Sequence, residues 1–243
     1  MLAKRSAPAC GYATDEKAVY REQVWRTFKQ SARTGLRFCR ALLMPSSEAL
    51  EIAVAERWGC SRENIVAVDH NVAIAATISR KYPGITAWGC DAFDAVERAV
   101  KRGIHLDLVH FDMTGNLSPS MVMGLQRVAK LLRPGAIIVL NTLKGREPMS
   151  WMKTYAEGYS QPHCLQSVIE KDLPLTYSTN PTIEKRFANR YLASLEKGLL
   201  SDNPYEVRRR FLIQTVTGWR IIGLPKTYTS GRAPMQWSAW RSR

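Results

Sequence analysis

Between residues 36 and 141 the chain alternates five short apolar runs with four stretches of helical spacing, and nothing else restricts its fold as much. Leu36–Met44 reads as a first strand, followed by a turn at Pro45-Ser46-Ser47. A helix is predicted from Glu48 to Trp58, capped by Ser46 or Ser47 and ended by Gly59. Ile65-Val66-Ala67-Val68 is apolar throughout, as expected of a parallel strand buried on both faces. A helix at 71–81 leads to a strand at Ile85–Trp88, and a helix at 92–102 to a strand at Leu106–Phe111. Ser118-Pro119 opens a helix to Leu132, and Ala136–Leu140 is the fifth strand. Such alternation builds βαβ units and a doubly wound, mostly parallel α/β sheet. Ligands of these sheets bind beyond the carboxyl ends of the strands, at the switch point.

The flanks follow other patterns. Thr14 is placed to cap a helix over 15–33, with Asp15 and Glu16 in its first turn and Val19, Val24 and Phe28 on its apolar side. It reads as a packing helix whose Arg21, Arg26, Lys29 and Arg33 are available to a ligand. Residues 145–203, rich in proline and aromatics, break the rhythm and read as an insertion after the fifth strand. A helix is predicted from Asn203-Pro204 to Thr215, then a strand at 219–228, a turn at Ser230-Gly231 and a last strand at Met235–Trp240. The domain reading is a basic helical extension over 1–35, then one domain over 36–243 that ends in an antiparallel hairpin.

The formal charge of +14 sits on those flanks. Residues 1–40 carry +6, residues 206–243 carry +7, and everything between carries +1. Basic ends on a near-neutral core suit a polyanion, because each phosphate contact releases condensed counterions. The five cysteines are scattered, odd in number and without a C-x-x-C pair, which speaks against a disulfide framework or zinc site. With no signal segment recognised, the expected compartment is the reducing cytoplasm. The four dispersed histidines suggest no metal site, and no G-x-x-x-x-G-K-[ST] loop occurs.

Three acids stand just past three strands: Asp69, Asp91 and Asp112. In register, all three lie on the ligand-binding rim, where an unpartnered carboxylate is costly and a ligand offering hydroxyls and amines would satisfy it. Asp69 follows Ser46 by 23 residues, near the interval at which nucleotide-binding folds place their ribose acid.

In order and spacing these elements resemble the class I S-adenosylmethionine-dependent methyltransferases, over about 36–141 and more weakly 204–241. The resemblance implies a Rossmann-like fold and S-adenosyl-L-methionine as cofactor. It implies that Met44, Pro45, Ser46 and Ser47 form the first cofactor turn, and that Asp69, with His70 beside it, binds the ribose hydroxyls. It implies that Asp91 takes the adenine amine, with Ala92 and Phe93 near the ring. Asp112-Met113-Thr114-Gly115 then lies by the methionine moiety and the methyl acceptor. One departure is plain. The family's first turn is usually glycine-rich, and Met44–Glu48 contains no glycine.

Methyl transfer from a sulfonium chiefly needs the acceptor aligned at about 3–3.5 Å. Asp112 is the first candidate to position it and Asn116 the second, with Asn141 and Lys144 on the far wall. No Asp-Pro-Pro-Tyr or Pro-Cys signature assigns the acceptor. Arg208, Arg209, Arg210, Arg232, Arg241 and Arg243, with an exposed Trp240, are candidate nucleic-acid contacts, since arginines hold phosphates and aromatics stack on bases. Trp237, alternating with Met235, reads as core. The function expected is thus methyl transfer to RNA or DNA. The alternatives are a methyltransferase-like protein that binds nucleic acid or serves an assembly without catalysis, and a methyltransferase for a protein or small molecule.

Overall fold

The computed structural model describes residues 14–32, 35–113, 115, 118–143, 219–222, 226–230 and 233–242. The insertion at 145–203, the helix expected at 204–215, and Arg33, Thr114, Asn116, Lys144, Arg208, Arg209, Arg210, Arg232 and Arg243 lie outside them.

Five helices and eight strands are described. They follow in the order α1 (Asp15–Ser31), β1 (Ala41–Leu43), α2 (Leu50–Arg57), β2 (Ile65–Asp69), α3 (Val72–Lys81), β3 (Thr86–Gly89) and α4 (Ala92–Lys101). Then come β4 (Leu108–Asp112), α5 (Pro119–Ala129), β5 (Ile137–Leu143), β6 (Arg220–Ile221), β7 (Lys226–Ser230) and β8 (Ala233–Arg241). The sheet order is β3-β2-β1-β4-β5-β8-β6, with β7 also on β8. β1 to β5 are parallel, and β8 runs antiparallel to β5, β6 and β7. Both β6 and β7 pair along β8 and behave as one broken edge strand. Its register shifts by two residues between Ile221↔Trp240 and Lys226↔Trp237. Counted as one, they make a seven-strand order of 3-2-1-4-5-7-6, a Rossmann-like α/β sheet with antiparallel C-terminal strands.

Two apolar layers cover the sheet. On one face α1, α2 and α3 contribute Tyr20, Val24, Trp25, Phe28, Ile52 and Ile78, packed on Leu43, Ala67, Val139 and Trp237. On the other, α4 and α5 contribute Phe93, Val96, Leu125 and Val128, packed on Val68, Phe111, Ile138 and Trp240. Alternation along each buried strand sends successive side chains to opposite layers. Two glycines permit close approaches. A Cβ at Gly89 would meet Val72 Cα at 2.7 Å, and one at Gly124 would meet the Phe93 ring at 2.6 Å.

Several local expectations are corrected. The first strand is shorter than Leu36–Met44, because Leu36–Phe38 forms a 3-10 turn and Phe38 is 75% exposed. Neither Ser46 nor Ser47 caps α2. Its cap is Ala49, in the left-handed region at φ 55 and without a side-chain hydrogen bond. Val19 is 54% exposed, while Lys17 and Arg21 are buried in its place. Trp240, expected to be exposed, is 2% exposed and packs beneath α4 and α5, so its ring is closed to a base. Trp237 is core, as expected.

Candidate active site at the carboxyl edge of the sheet

The carboxyl ends of β2, β3 and β4 carry the three acids, and each is held differently. Asp69 closes β2 opposite Gly89. Its Oδ1 accepts the Asn71 N–H at 2.8 Å and lies 3.4 Å from His70 Nδ1, while Oδ2 takes no hydrogen bond among the described residues. Asn71 in turn caps α3 by accepting the Ala73 N–H. Asp91 follows β3 and caps α4, its Oδ1 accepting from Phe93 at 2.8 Å and Asp94 at 3.3 Å. It is exposed, and its Oδ2 is likewise uncommitted among the described residues. A carboxylate there also favours the positive end of the helix dipole. Ala92 and Phe93 are buried, and the Phe93 ring packs 4.9 Å from Phe111.

Asp112, at the end of β4 opposite Asn141, is buried. Its Oδ1 accepts a 2.7 Å hydrogen bond from Asn141 Nδ2. Its Oδ2 is ion-paired at 3.1 Å with Lys17 of α1, without a directed hydrogen bond. Asn141 Nδ2 also donates to the Tyr228 hydroxyl at 2.6 Å, and the Tyr228 ring stacks on Tyr20 of α1 at 4.7 Å. The Tyr20 hydroxyl hydrogen-bonds His110 Nε2 at 2.5 Å. Arg21 of α1 donates to Glu51 of α2 at 2.7 Å, and both are buried. Helix α1 thus brings Lys17, Tyr20 and Arg21 onto polar groups of β4, β7 and α2.

Burial shapes the titration of this cluster. It pushes His110 down to about 4, so the imidazole is neutral. It raises Glu51 despite the opposing Arg21 charge. Burial first, and the Asp112 charge second, hold the Tyr20 and Tyr228 hydroxyls well above the ordinary tyrosine range.

The first turn lies beside this rim. Pro45 and Ser46 are buried, Met44 is half-buried and Ser47 is exposed. Ser46 Oγ has no hydrogen-bond partner among the described residues. Such a buried hydroxyl is costly unless a ligand satisfies it. Just past this turn, Ala49 holds a left-handed backbone that glycine adopts without cost. A polar, amino-acid-bearing nucleoside fits this donor set: a buried hydroxyl at the first turn and one uncommitted oxygen on each of Asp69 and Asp91.

The structure therefore gathers Ser46, Asp69, Asp91, Asp112 and Asn141 at one edge. Arg241 lies away from it, on β8 opposite Ile137 at the amino end of β5. Lys17, Tyr20 and Glu51 were not singled out from sequence, and His110 and Tyr228 were not placed at this site. The available signal was the stripe 17-20-21-24-28, whose helical spacing runs through two cations, and the same-face pair His110 and Asp112 on one strand. No helix among the described residues is long and apolar enough to cross a membrane.

No family model matches the chain, and no curated protein matches it. Solved structures do. An O-methyltransferase from Bacillus cereus, in complex with SAH, superposes with a TM-score of 0.50 over 97% of this chain and 84% of that one, at 13% identity. The CurJ carbon methyltransferase superposes with a TM-score of 0.52 over 96% of this chain and 57% of that one, at 12% identity. Strand order, antiparallel C-terminal strands and these superpositions give the chain the fold of the class I S-adenosylmethionine-dependent methyltransferases.

Proposed function

We propose that this chain is an S-adenosyl-L-methionine-dependent methyltransferase whose larger substrate is a nucleic acid. The observation that carries the reading is the rim itself: Asp69, Asp91 and Asp112 stand at or just beyond the carboxyl ends of β2, β3 and β4 of one sheet, β1 lying between β2 and β4, and the first turn there holds a buried Ser46 hydroxyl without a partner among the described residues. In this reading Asp69 Oδ2 binds the ribose hydroxyls and Asp91 Oδ2 the adenine amine. Ser46 and the Met44–Ser47 backbone face the amino-acid portion, and Asp112 faces the acceptor. When bound, the cofactor supplies an electrophilic methyl group. The chain's own task is alignment and the exclusion of water. The basic flanks support a polyanionic substrate.

Calorimetric titration with S-adenosylmethionine and S-adenosylhomocysteine tests the first part. Saturable binding is expected, and no heat at millimolar ligand with folded protein overturns the reading. Binding of RNA or DNA is expected to weaken steeply with salt, and a flat salt dependence removes the polyanion.

One observation favours a second reading, a methyltransferase-like protein without catalysis. Asp112 is already ion-paired inside the chain, to Lys17. Cofactor binding without any transfer would support it.

A further inference from the structure

The polarity around Asp112 limits what can be held there. Asn141 Nδ2 bonds both Asp112 Oδ1 and the Tyr228 hydroxyl. A carboxylate only accepts, so the amide orientation is fixed and Asn141 Oδ1 is the atom left over. Asn141 Oδ1 and Asp112 Oδ2 are both buried, and among the described residues neither has a hydrogen bond. Two buried acceptor oxygens are therefore left on adjacent strands. A hydroxyl offers them one proton and a ring carbon none, whereas an amino group offers two. The nearest charge tells the same story: the group that approaches Asp112 Oδ2, at 3.1 Å, is itself an amine, the Lys17 ammonium on the first turn of α1.

Resting on the methyltransferase reading above, we propose that the group methylated is an amine and that Lys17 holds its place when α1 is closed on the sheet. The acceptor enters as Lys17 withdraws. Its two N–H groups donate to Asp112 Oδ2 and Asn141 Oδ1, which orients the nitrogen lone pair. That lone pair forms the N–C bond, and the S–C bond breaks with its electron pair left on sulfur. The cationic amine then sheds one proton, for which Asp112 Oδ2 is the adjacent base.

The test removes the internal amine and offers a free one. Lys17→Ala is expected to unfold at a lower temperature than the parent. n-Butylammonium chloride is expected to raise its midpoint where n-butanol, and sodium chloride at equal ionic strength, do not. The parent protein is expected to respond to none of them selectively. Equal effects of amine and alcohol, or no effect of either, overturn the proposal. Lys17→Ser, whose short side chain likewise leaves the ammonium's place empty, serves in the same way if the alanine variant does not fold.

Transfer is read with labelled S-adenosylmethionine on bulk RNA and genomic DNA digested to nucleosides. Label on exocyclic base amines is expected. Label on the ribose hydroxyl or a ring carbon, or none although S-adenosylhomocysteine binds, overturns the proposal. Amine-selective stabilisation in a chain that binds no S-adenosylhomocysteine would instead fault the methyltransferase reading and leave the amine site standing.

Discussion

The two halves of the rim are built on opposite principles. Asp69 and Asp91 each spend one oxygen on the start of a neighbouring helix and keep the other uncommitted among the described residues. They stand where β2 and β3 hand the chain to α3 and α4, so local geometry alone sets them. Asp112 is buried, and its partners come from 95 residues earlier and 29 residues later in the chain. The first half is a preformed acceptor edge. The second depends on the pairing of β4 with β5 and on the docking of α1, which makes the Asp112 half a product of tertiary folding and the Asp69–Asp91 half a product of secondary structure.

The largest contrast is expected on removing one charge from each half. Lys17→Met leaves the Asp112 carboxylate buried without its cation. Losing one partner of a buried pair typically costs about 3–5 kcal/mol. Adding Asp112→Asn to Lys17→Met removes the orphaned charge and is expected to restore much of that loss. Urea unfolding of the two single variants and the double checks this. Additive losses would mean that the pair is not coupled. A comparable charge removal at the exposed Asp91 is expected to cost far less.

Proton linkage separates the halves next. His110 is folded neutral, with its pKa pushed down to about 4 by burial against an ordinary value of 6.5. The unfolded chain binds the proton first, so the His110 contribution is fully present above 6.5 and is lost as pH falls toward 4. A depression of that size corresponds to about 3 kcal/mol. Glu51 acts in the opposite sense: its raised pKa makes the folded state take up a proton earlier, which offsets part of the loss. Lys17, Arg21 and Asp112 also act on His110, the two cations lowering its pKa further and Asp112 raising it. Unfolding free energies measured between pH 7 and 4 are expected to fall with pH. The same series in His110→Gln is expected to be flatter by the histidine's share, and an unchanged slope would sink the assignment.

How much of this was legible beforehand follows the same divide. β2, β4 and β5 fall within a few residues of their apolar runs, because a strand buried on both faces needs no partner to declare itself, and the half-buried outer strand β3 does so as well. The rim acids were visible for that reason, being the first polar residues after such runs. The α1 cluster was hidden because the sequence marks Arg21 only as a cation available to a ligand, and Lys17 not at all, until Asp112 and Glu51 arrive from distant sequence. Trp240 misled in the other direction. Near an arginine-rich end it resembles a stacking platform, but pairing of β8 with β5 carries it into the core. Ala49 hid as well, since nothing in its identity announces a left-handed backbone.

The open half gives smaller effects on stability. Asp91→Ala removes an oxygen that accepts two N–H groups at the start of α4. Loss of an N-cap costs about 1 kcal/mol. Thermal unfolding of this variant checks the cap. A loss several times larger would mean that Asp91 is tied into the fold as Asp112 is, and the contrast between the halves would fail.

Asp69→Asn is the finest probe, because it separates fold from ligand. The asparagine carbonyl can still accept the Asn71 N–H that Asp69 Oδ1 now receives, so the Asp69–Asn71 turn and the α3 cap beyond it are kept. Stability is expected to change by less than about 0.5 kcal/mol, as for substitutions that leave buried features intact. The carboxylate's charge is lost, however, and with it the charge assistance that strengthens hydrogen bonds from hydroxyl donors. If Asp69 holds the ribose, S-adenosylhomocysteine binding is expected to weaken by about tenfold or more, on the roughly 1.5–3 kcal/mol scale of a hydrogen bond to a charged group. Calorimetry and thermal unfolding of one sample read both quantities. An unmoved midpoint with weakened binding ties the open half to the cofactor. Unmoved binding would place the ribose away from β2, and the division of the rim would then describe only how the sheet ends.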